Sequence, residues 1–472
     1  MVTYSTIRSE YLIQLTKICL MCLVLIWHSV ALAKPQRWRA TWWSDPATTM
    51  AIGWEQSEGG EAKFTYRERS PRSARHTSHT ITVRAPTERE IKHGSAYWAQ
   101  VTGLKPDTAY EFEVGVRIPS DELIEAESDG YRWSEPLWFK TAPAQPQRLT
   151  FIAGGDSRNH RSVRQTANRV VAELEVDAVL FGGDFTARDT LHQWREWFDD
   201  WQLSISESGR LTPLIPARGN HDSESQLSRA WGRAYPHFYF ALTFGGDLLR
   251  IYTLNSERPA GGDQRIWLER DLKHHRVTRL RWAQYHKPMR PHTKRKSEGE
   301  DEYLHWADLF DHHQVDLAVE CDSHLMKVTW PLRPESRGVD GFKRARTGTT
   351  YIGEGGWGAP LRSVDDNKPW TFASDRLNHL FFIEVSAQGE QRITPLRLLS
   401  ARDREQMETP YPWLTFRGLP QEIARLTEAA PLMLKGHRAT PGRDTLRLGY
   451  GPLTLAPRGG RSTRQATPKL NQ

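Results

Sequence analysis

Leu149-Thr150-Phe151-Ile152-Ala153-Gly154-Gly155-Asp156-Ser157-Arg158 is an apolar, β-type run that opens into a polar turn, and two later stretches repeat its design. Ala178-Val179-Leu180-Phe181 opens into Gly182-Gly183-Asp184, and Pro213-Leu214-Ile215-Pro216 opens into Arg218-Gly219-Asn220-His221-Asp222. Glycine lets the backbone turn sharply where a strand ends, so the next side chain can be held at the sheet's edge. Ligands in such folds sit outside strand ends, where loops converge on a rigid scaffold. An aspartate, a second aspartate and an Asn-His-Asp delivered by consecutive strands read as a metal site.

Downstream, strands continue to alternate with helical spacing. Helices are expected over Val163 to Leu174, Leu191 to Leu203, Gln264 to Leu272 and Tyr303 to His312. The strand Arg281 to Tyr285 ends at His286, and the strand Asp316 to Val319 leads to Glu320-Cys321-Asp322-Ser323-His324. Strands at Phe238 to Phe240, Leu248 to Leu254, Thr350 to Ile352 and Leu380 to Val385 complete an α/β domain over residues 148–400. The charged stretch Lys294 to Glu302 is expected to be a mobile loop. Upstream, residues 35–143 read as an all-β sandwich of short strands separated by turns, with no cluster of chemistry-bearing side chains. Pro143-Ala144-Gln145-Pro146 links the two.

At 472 residues the chain calls for two domains or more. Arg8 and Lys17 precede the apolar run Ile18 to Trp27, and Ala31-Leu32-Ala33 offers a cleavage site, so residues 1–33 read as an export signal. That makes the mature chain periplasmic or secreted, with no transmembrane segment. It would keep one cysteine, Cys321, and so no internal disulfide. The formal charge of +7 is concentrated at the end: residues 401–472 hold twelve Lys/Arg against six Asp/Glu. This end is expected to be a mostly disordered, basic tail, solvated or touching an anionic surface. No specific nucleic-acid recognition is expected.

Asp156, Asp184, Gly219-Asn220-His221-Asp222, His286 and His324, in that order at strand ends, resemble the calcineurin-like metallophosphoesterases. The leading sandwich, with its Leu104-x-Pro106-x-Thr108-x-Tyr110 stretch, resembles a fibronectin type III module and points to the purple-acid-phosphatase branch. The resemblance implies a four-layer α-β-β-α sandwich with metal ions at the strand ends. It implies that Asp184 bridges two ions, that Asp156 and His324 hold the first, and that Asn220, His286 and the residue at 322 hold the second. His221 would contact the phosphate and assist the leaving group, with Asp222 orienting its imidazole. The implied reaction is hydrolysis of a small-molecule phosphate monoester by metal-bound hydroxide, using iron, manganese or zinc, one or two ions per chain. A phosphodiesterase acting on nucleotides or lipid head groups is the alternative, as is a degenerate phosphate- or sugar-binding surface module.

Three positions depart from the family pattern. Arg158 stands where a histidine is usual. Ala187 stands where the purple branch has the tyrosine responsible for its colour, so no purple colour is expected. Asp322 stands where the Gly-His-x-His motif has its first histidine, which makes the site harder and more anionic. Arg158 would oppose a second cation but could clamp phosphate in a bidentate way; a salt bridge to Asp156 is its structural alternative. Cys321 reads as a small buried residue, and Trp357, Tyr285 and His292 as possible cleft residues without an assigned role.

Overall fold

The computed structural model describes residues 34–56, 60–69, 77–87, 90, 96–118, 130–232, 236–398, 427–429 and 453–455. The expected export signal lies outside them, as does most of the tail.

Alternating apolar residues build the first domain. A three-stranded sheet (Gln36–Thr41, Thr49–Glu55, Tyr97–Thr102) faces a second one built around Ala62–Glu68 and Ala109–Arg117. Trp38, Trp54, Phe64 and Phe112 fill the space between them. The Tyr110 hydroxyl accepts from the Lys105 N–H at 2.8 Å, fixing the corner at which this tyrosine was expected. The sandwich is docked on the second domain through Arg37 to Asp199 (2.7 Å) and Trp43 Nε1 to the Trp231 carbonyl (3.0 Å). Arg39 is fully buried between them, bonded to Glu55 and to the Ala230 carbonyl, with its guanidinium 3.5 Å from the centre of the Phe198 ring.

The second domain has two mixed sheets packed face to face. One runs Leu214–Pro216, Ala178–Phe181, Leu149–Gly154, His379–Val385, Gln391–Leu398, the first three strands being parallel. The other is parallel over Leu249–Thr253, Leu280–Gln284, Leu317–Glu320 and Thr350–Gly353. Buried on both faces, these parallel strands are continuous apolar runs, as such strands must be. Phe151 meets Trp282 across the layers with ring centroids 5.2 Å apart, and Gln284 Nε2 donates to the Ile215 carbonyl. The helices Arg161–Leu174 and Leu191–Trp201 pack against the first sheet and Gly262–His274 against the second, completing α-β-β-α.

The sequence reading missed Glu224–Trp231, a helix capped by Ser223 Oγ on the Gln226 N–H. Phe238 ends a short 3-10 turn, Pro236–Phe238, rather than lying in a strand. Nor is the loop from Lys294 free: Lys294 N donates to Asp365 Oδ1 and Gly299 N to the Met289 carbonyl, while Lys296 is bonded to Asp322. In the C-terminal region, 427–429 and 453–455 pair with the edge strand Gln391–Leu398.

Candidate metal centre

The parallel strands of both sheets end on the same side of the domain, and the turns that follow bring the separated polar residues together. Asp156 and Asp184 come from the first sheet, His286, Asp322 and His324 from the second. Two of the resulting groups match the expected seats: Asp156, Asp184 and His324, and Asp184, His286 and Asp322, each with its donor atoms within 4.8 Å of one another. Asn220 joins the second, its Oδ1 3.1 Å from His286 Nε2.

The backbone is bent hard to aim these side chains. Asp156, Asp184, Asp322 and His324 all have left-handed φ, at 57°, 56°, 70° and 56°, a region costly for residues with a Cβ. Glycines make room around them. A Cβ added at Gly355 would lie 1.9 Å from Asp156 Oδ2, and one at Gly219 2.3 Å from Asp184 Oδ1. Cys321 is buried, and its Sγ would lie 2.2 Å from a Cβ at Gly182; burial raises its thiol pKa. Its sulfur can join Asp156 and His286 as a third donor group, although its close fit against Gly182 and Gly155 accounts for a small residue there.

Both candidate histidines are held as a metal would need them. His324 Nδ1 lies 2.9 Å from the Pro360 carbonyl and His286 Nδ1 2.9 Å from the Gly182 carbonyl. A carbonyl only accepts, so each Nδ1 carries the proton, and a neutral ring turns the Nε2 lone pair inward. His324 Nε2 then faces Asp156 Oδ1 at 3.2 Å; His286 Nε2 faces Asp184 Oδ1 at 3.4 Å and Asp322 Oδ1 at 3.6 Å. Lone pairs directed at carboxylate oxygens need a cation between them. Without one the ring must take up a proton: burial disfavours charge on His286, but the Asp184 and Asp156 carboxylates outweigh it and hold its pKa well above the ordinary value. Asp156 Oδ1 and Asp184 Oδ2 are buried and accept no hydrogen bond. These donors fit divalent ions.

His221 has its Nδ1 2.8 Å from the Ala187 carbonyl and its Nε2 3.9 Å from Asp184 Oδ2, with the side chain 29% exposed. Asp222 does not orient it, contrary to the expectation. The Asp222 carboxylate turns inward and accepts the N–H groups of Asp184 (2.7 Å), Phe185 (3.1 Å) and Gly219 (3.0 Å), stapling two ligand turns together. Burial, reinforced by the neighbouring Asp184 carboxylate, pushes its pKa well up.

Arg158 does not pair with Asp156; among the described residues it forms no ion pair, and its Nη1 stands 3.5 Å from His324 Nε2. Two residues that sequence reasoning missed complete the rim. Lys296 is bonded to Asp322 Oδ1, and Arg362 Nη1 donates to the Asp322 carbonyl at 2.6 Å. Burial would raise the pKa of Asp322, but His286 and Lys296 hold it below the usual carboxylate range. Neither cation lies in a motif, so nothing local marked it. Trp357, Tyr285 and His292 are fully buried and belong to the core.

Two facing sheets that gather carboxylates and imidazoles at their strand ends have the arrangement expected of a metallophosphoesterase domain. Residues 35–141 match the purple acid phosphatase N-terminal domain and residues 151–325 match the calcineurin-like phosphoesterases. The chain thus carries a calcineurin-like phosphoesterase domain with a purple acid phosphatase N-terminal domain in front. Two proteins from strains of Mycobacterium tuberculosis, both described as uncharacterised, are each 26% identical to it over 306 residues, 53% of this chain and 53% of theirs. It thus spans about half the length of the curated relatives it matches. A purple acid phosphatase from yellow lupin (Lupinus luteus) seeds has the same fold, with a TM-score of 0.61 and 14% identity over 77% of this chain and 72% of that one. Among the described residues no helix is long and apolar enough to cross a membrane.

Proposed function

We propose that the chain hydrolyses phosphate monoesters of small molecules, with iron, manganese or zinc as its metal. The observation that carries this is the pair of buried carboxylate oxygens that accept no hydrogen bond, Asp156 Oδ1 facing His324 Nε2 at 3.2 Å and Asp184 Oδ2 facing His221 Nε2 at 3.9 Å. Asp184 would be shared between seats, with Asp156 and His324 on one side and Asn220, His286 and Asp322 on the other. A bound ion supplies positive charge against the phosphoryl oxygens and lowers the pKa of water. The protein does the rest. Asp222 keeps the two aspartate-bearing turns in register through their N–H groups. His221, its Nδ1–H fixed on the Ala187 carbonyl, presents Nε2 at the partly open edge of the cluster. There, when protonated, it donates to a phosphoryl or leaving-group oxygen.

Support for an exported location comes from the leader pattern in residues 1–33, which makes the substrate an extracytoplasmic ester. The test is hydrolysis of aryl phosphate monoester and diester by purified protein with each metal in turn. Monoester turnover is expected, falling by at least about 100-fold in His221→Ala, the usual scale for a lost acid–base group. Cleavage of the diester alone would overturn the choice of substrate. No turnover with any metal would favour a phosphate-binding module.

A further inference from the structure

A side-chain cation stands at two of the three departures of this chain from its family's pattern: Arg158 itself, and Lys296 on Asp322. Arg158 replaces a ligand histidine outright. Its Nη1 approaches His324 Nε2 to 3.5 Å, the nitrogen an ion in the Asp156–His324 seat would need. Since His324 Nδ1 donates to Pro360, that Nε2 has one lone pair, and it serves either the guanidinium or an ion. The backbone that carries Arg158 is anchored. Its carbonyl accepts from Arg164 Nη1 at 2.7 Å, and Arg164 is itself buried on Asp200. The preceding residue is locked too, with Ser157 Oγ donating to the Phe185 carbonyl and accepting from Trp197 Nε1.

Charge points the same way. Asp156, Asp184 and Asp322 carry three negative charges, and Arg158, Arg362 and Lys296 around them carry three positive ones, although only Lys296 is bonded to a carboxylate; by count the cluster is neutral before an ion enters. A second divalent ion would leave a large uncompensated positive charge. The Arg158 guanidinium also has no carboxylate partner among the described residues, and its Nε is buried without an acceptor. A planar donor fork without an anion, beside the place where phosphate would bind, suits bidentate recognition of phosphoryl oxygens.

We propose that the chain holds one metal ion, in the seat formed by Asp184, Asn220, His286 and Asp322, and that Arg158 fills the other seat as a guanidinium that binds the substrate's phosphoryl group. This rests on the phosphoesterase reading but is tested without turnover. Metal analysis and calorimetric titration with manganese or zinc are expected to give one ion per chain in the wild type and in Arg158→Lys. Arg158→His, which restores a neutral donor, is expected to take two. Inorganic phosphate, titrated into protein loaded with one ion, should bind at least about tenfold more weakly to Arg158→Met, which lacks the charge-assisted fork. Two tightly held ions in the wild type, a second ion in Arg158→Lys, or an Arg158→His protein that stops at one would each overturn the proposal. Unchanged phosphate affinity in Arg158→Met would do so as well. A one-ion protein that binds phosphate through Arg158 yet turns over no ester would sink the proposed activity and leave this assignment standing.

Discussion

Two groups of buried charge lie side by side at one end of the second sheet, and they differ in how their charges are matched. In the first, Lys327 Nζ lies 2.6 Å from Glu320 Oε2 and 2.5 Å from Glu354 Oε1. The other oxygens are also engaged: Glu320 Oε1 by the Tyr285 hydroxyl and the Met289 N–H, Glu354 Oε2 by the His292 N–H. In the second, Asp156 Oδ1 and Asp184 Oδ2 accept nothing. The two are physically joined, because Glu354 offers its carbonyl to the His324 N–H at 2.7 Å and Gly355 makes room for Asp156. A lysine within ion-pair reach of both glutamates marks a strut, even though Glu354 Oε1 accepts no hydrogen bond, whereas Asp156 Oδ1 and Asp184 Oδ2, faced only by imidazoles, mark a place reserved for something from outside. The Glu-Lys-Glu group therefore holds the turn that the metal centre is hung upon.

That contrast is easily broken at Lys327. Lys327→Met strands two buried carboxylates and should cost ~3–5 kcal/mol of stability, the scale for removing one partner of a buried ion pair, measured by urea unfolding. The opposite is expected at Asp184. Asp184→Asn removes an unanswered buried charge, so the fold should be as stable as the wild type or more so in metal-free buffer. Manganese binding by calorimetry should meanwhile fall by at least about 100-fold, since this carboxylate serves both seats. Equal destabilisation by both changes would erase the distinction. Smaller is the packing effect at Gly182, where a Cβ would meet the Cys321 sulfur: Gly182→Ala should lose ~1–3 kcal/mol, as overpacked cores do. Gly182→Ala with Cys321→Ala should regain most of it.

The paired group also has its own pH signature. Burial would raise the pKa of Glu354, but Lys327 and His292 overcome this and hold it at about 2, against 4.5 ordinarily. A folded-state pKa below the unfolded one means stability fully present above about 4.5 and lost as pH falls towards 2. Urea midpoints between pH 6 and 3 should drop for the wild type, and more shallowly for Glu354→Gln. A parallel slope in that variant would remove Glu354 from the account.

The metal-facing half of this picture was legible in the sequence because each ligand follows an apolar strand by a fixed turn. Asp156, Asp184, Asn220, His286 and His324 stand at strand ends in the order of the motifs that the resemblance matched. Adjacency misled at Asp222: neighbouring residues in a turn point different ways, and its carboxylate went to the backbone rather than to the ring of His221. Lys296, Arg362 and Lys327 were invisible because what defines them is contact with residues distant along the chain. The stretch from Lys294 looked free because its polar residues suggest solvent, while their partners Asp322 and Asp365 lie elsewhere in the chain. Glu224–Trp231 escaped notice for want of a long apolar periodicity; a serine cap and the buried Leu227, Ala230 and Trp231 hold it.

The left-handed backbone at Asp156, Asp184, Asp322 and His324 has a bearing on whether this centre is still in service. Each such residue costs on the order of 1–3 kcal/mol, together a sizeable fraction of a domain's net stability. Glycine would relieve every one of them, at the sole expense of a side chain in the candidate metal centre. A relic of catalysis would be easier to fold once relaxed, and these four turns are still held under tension.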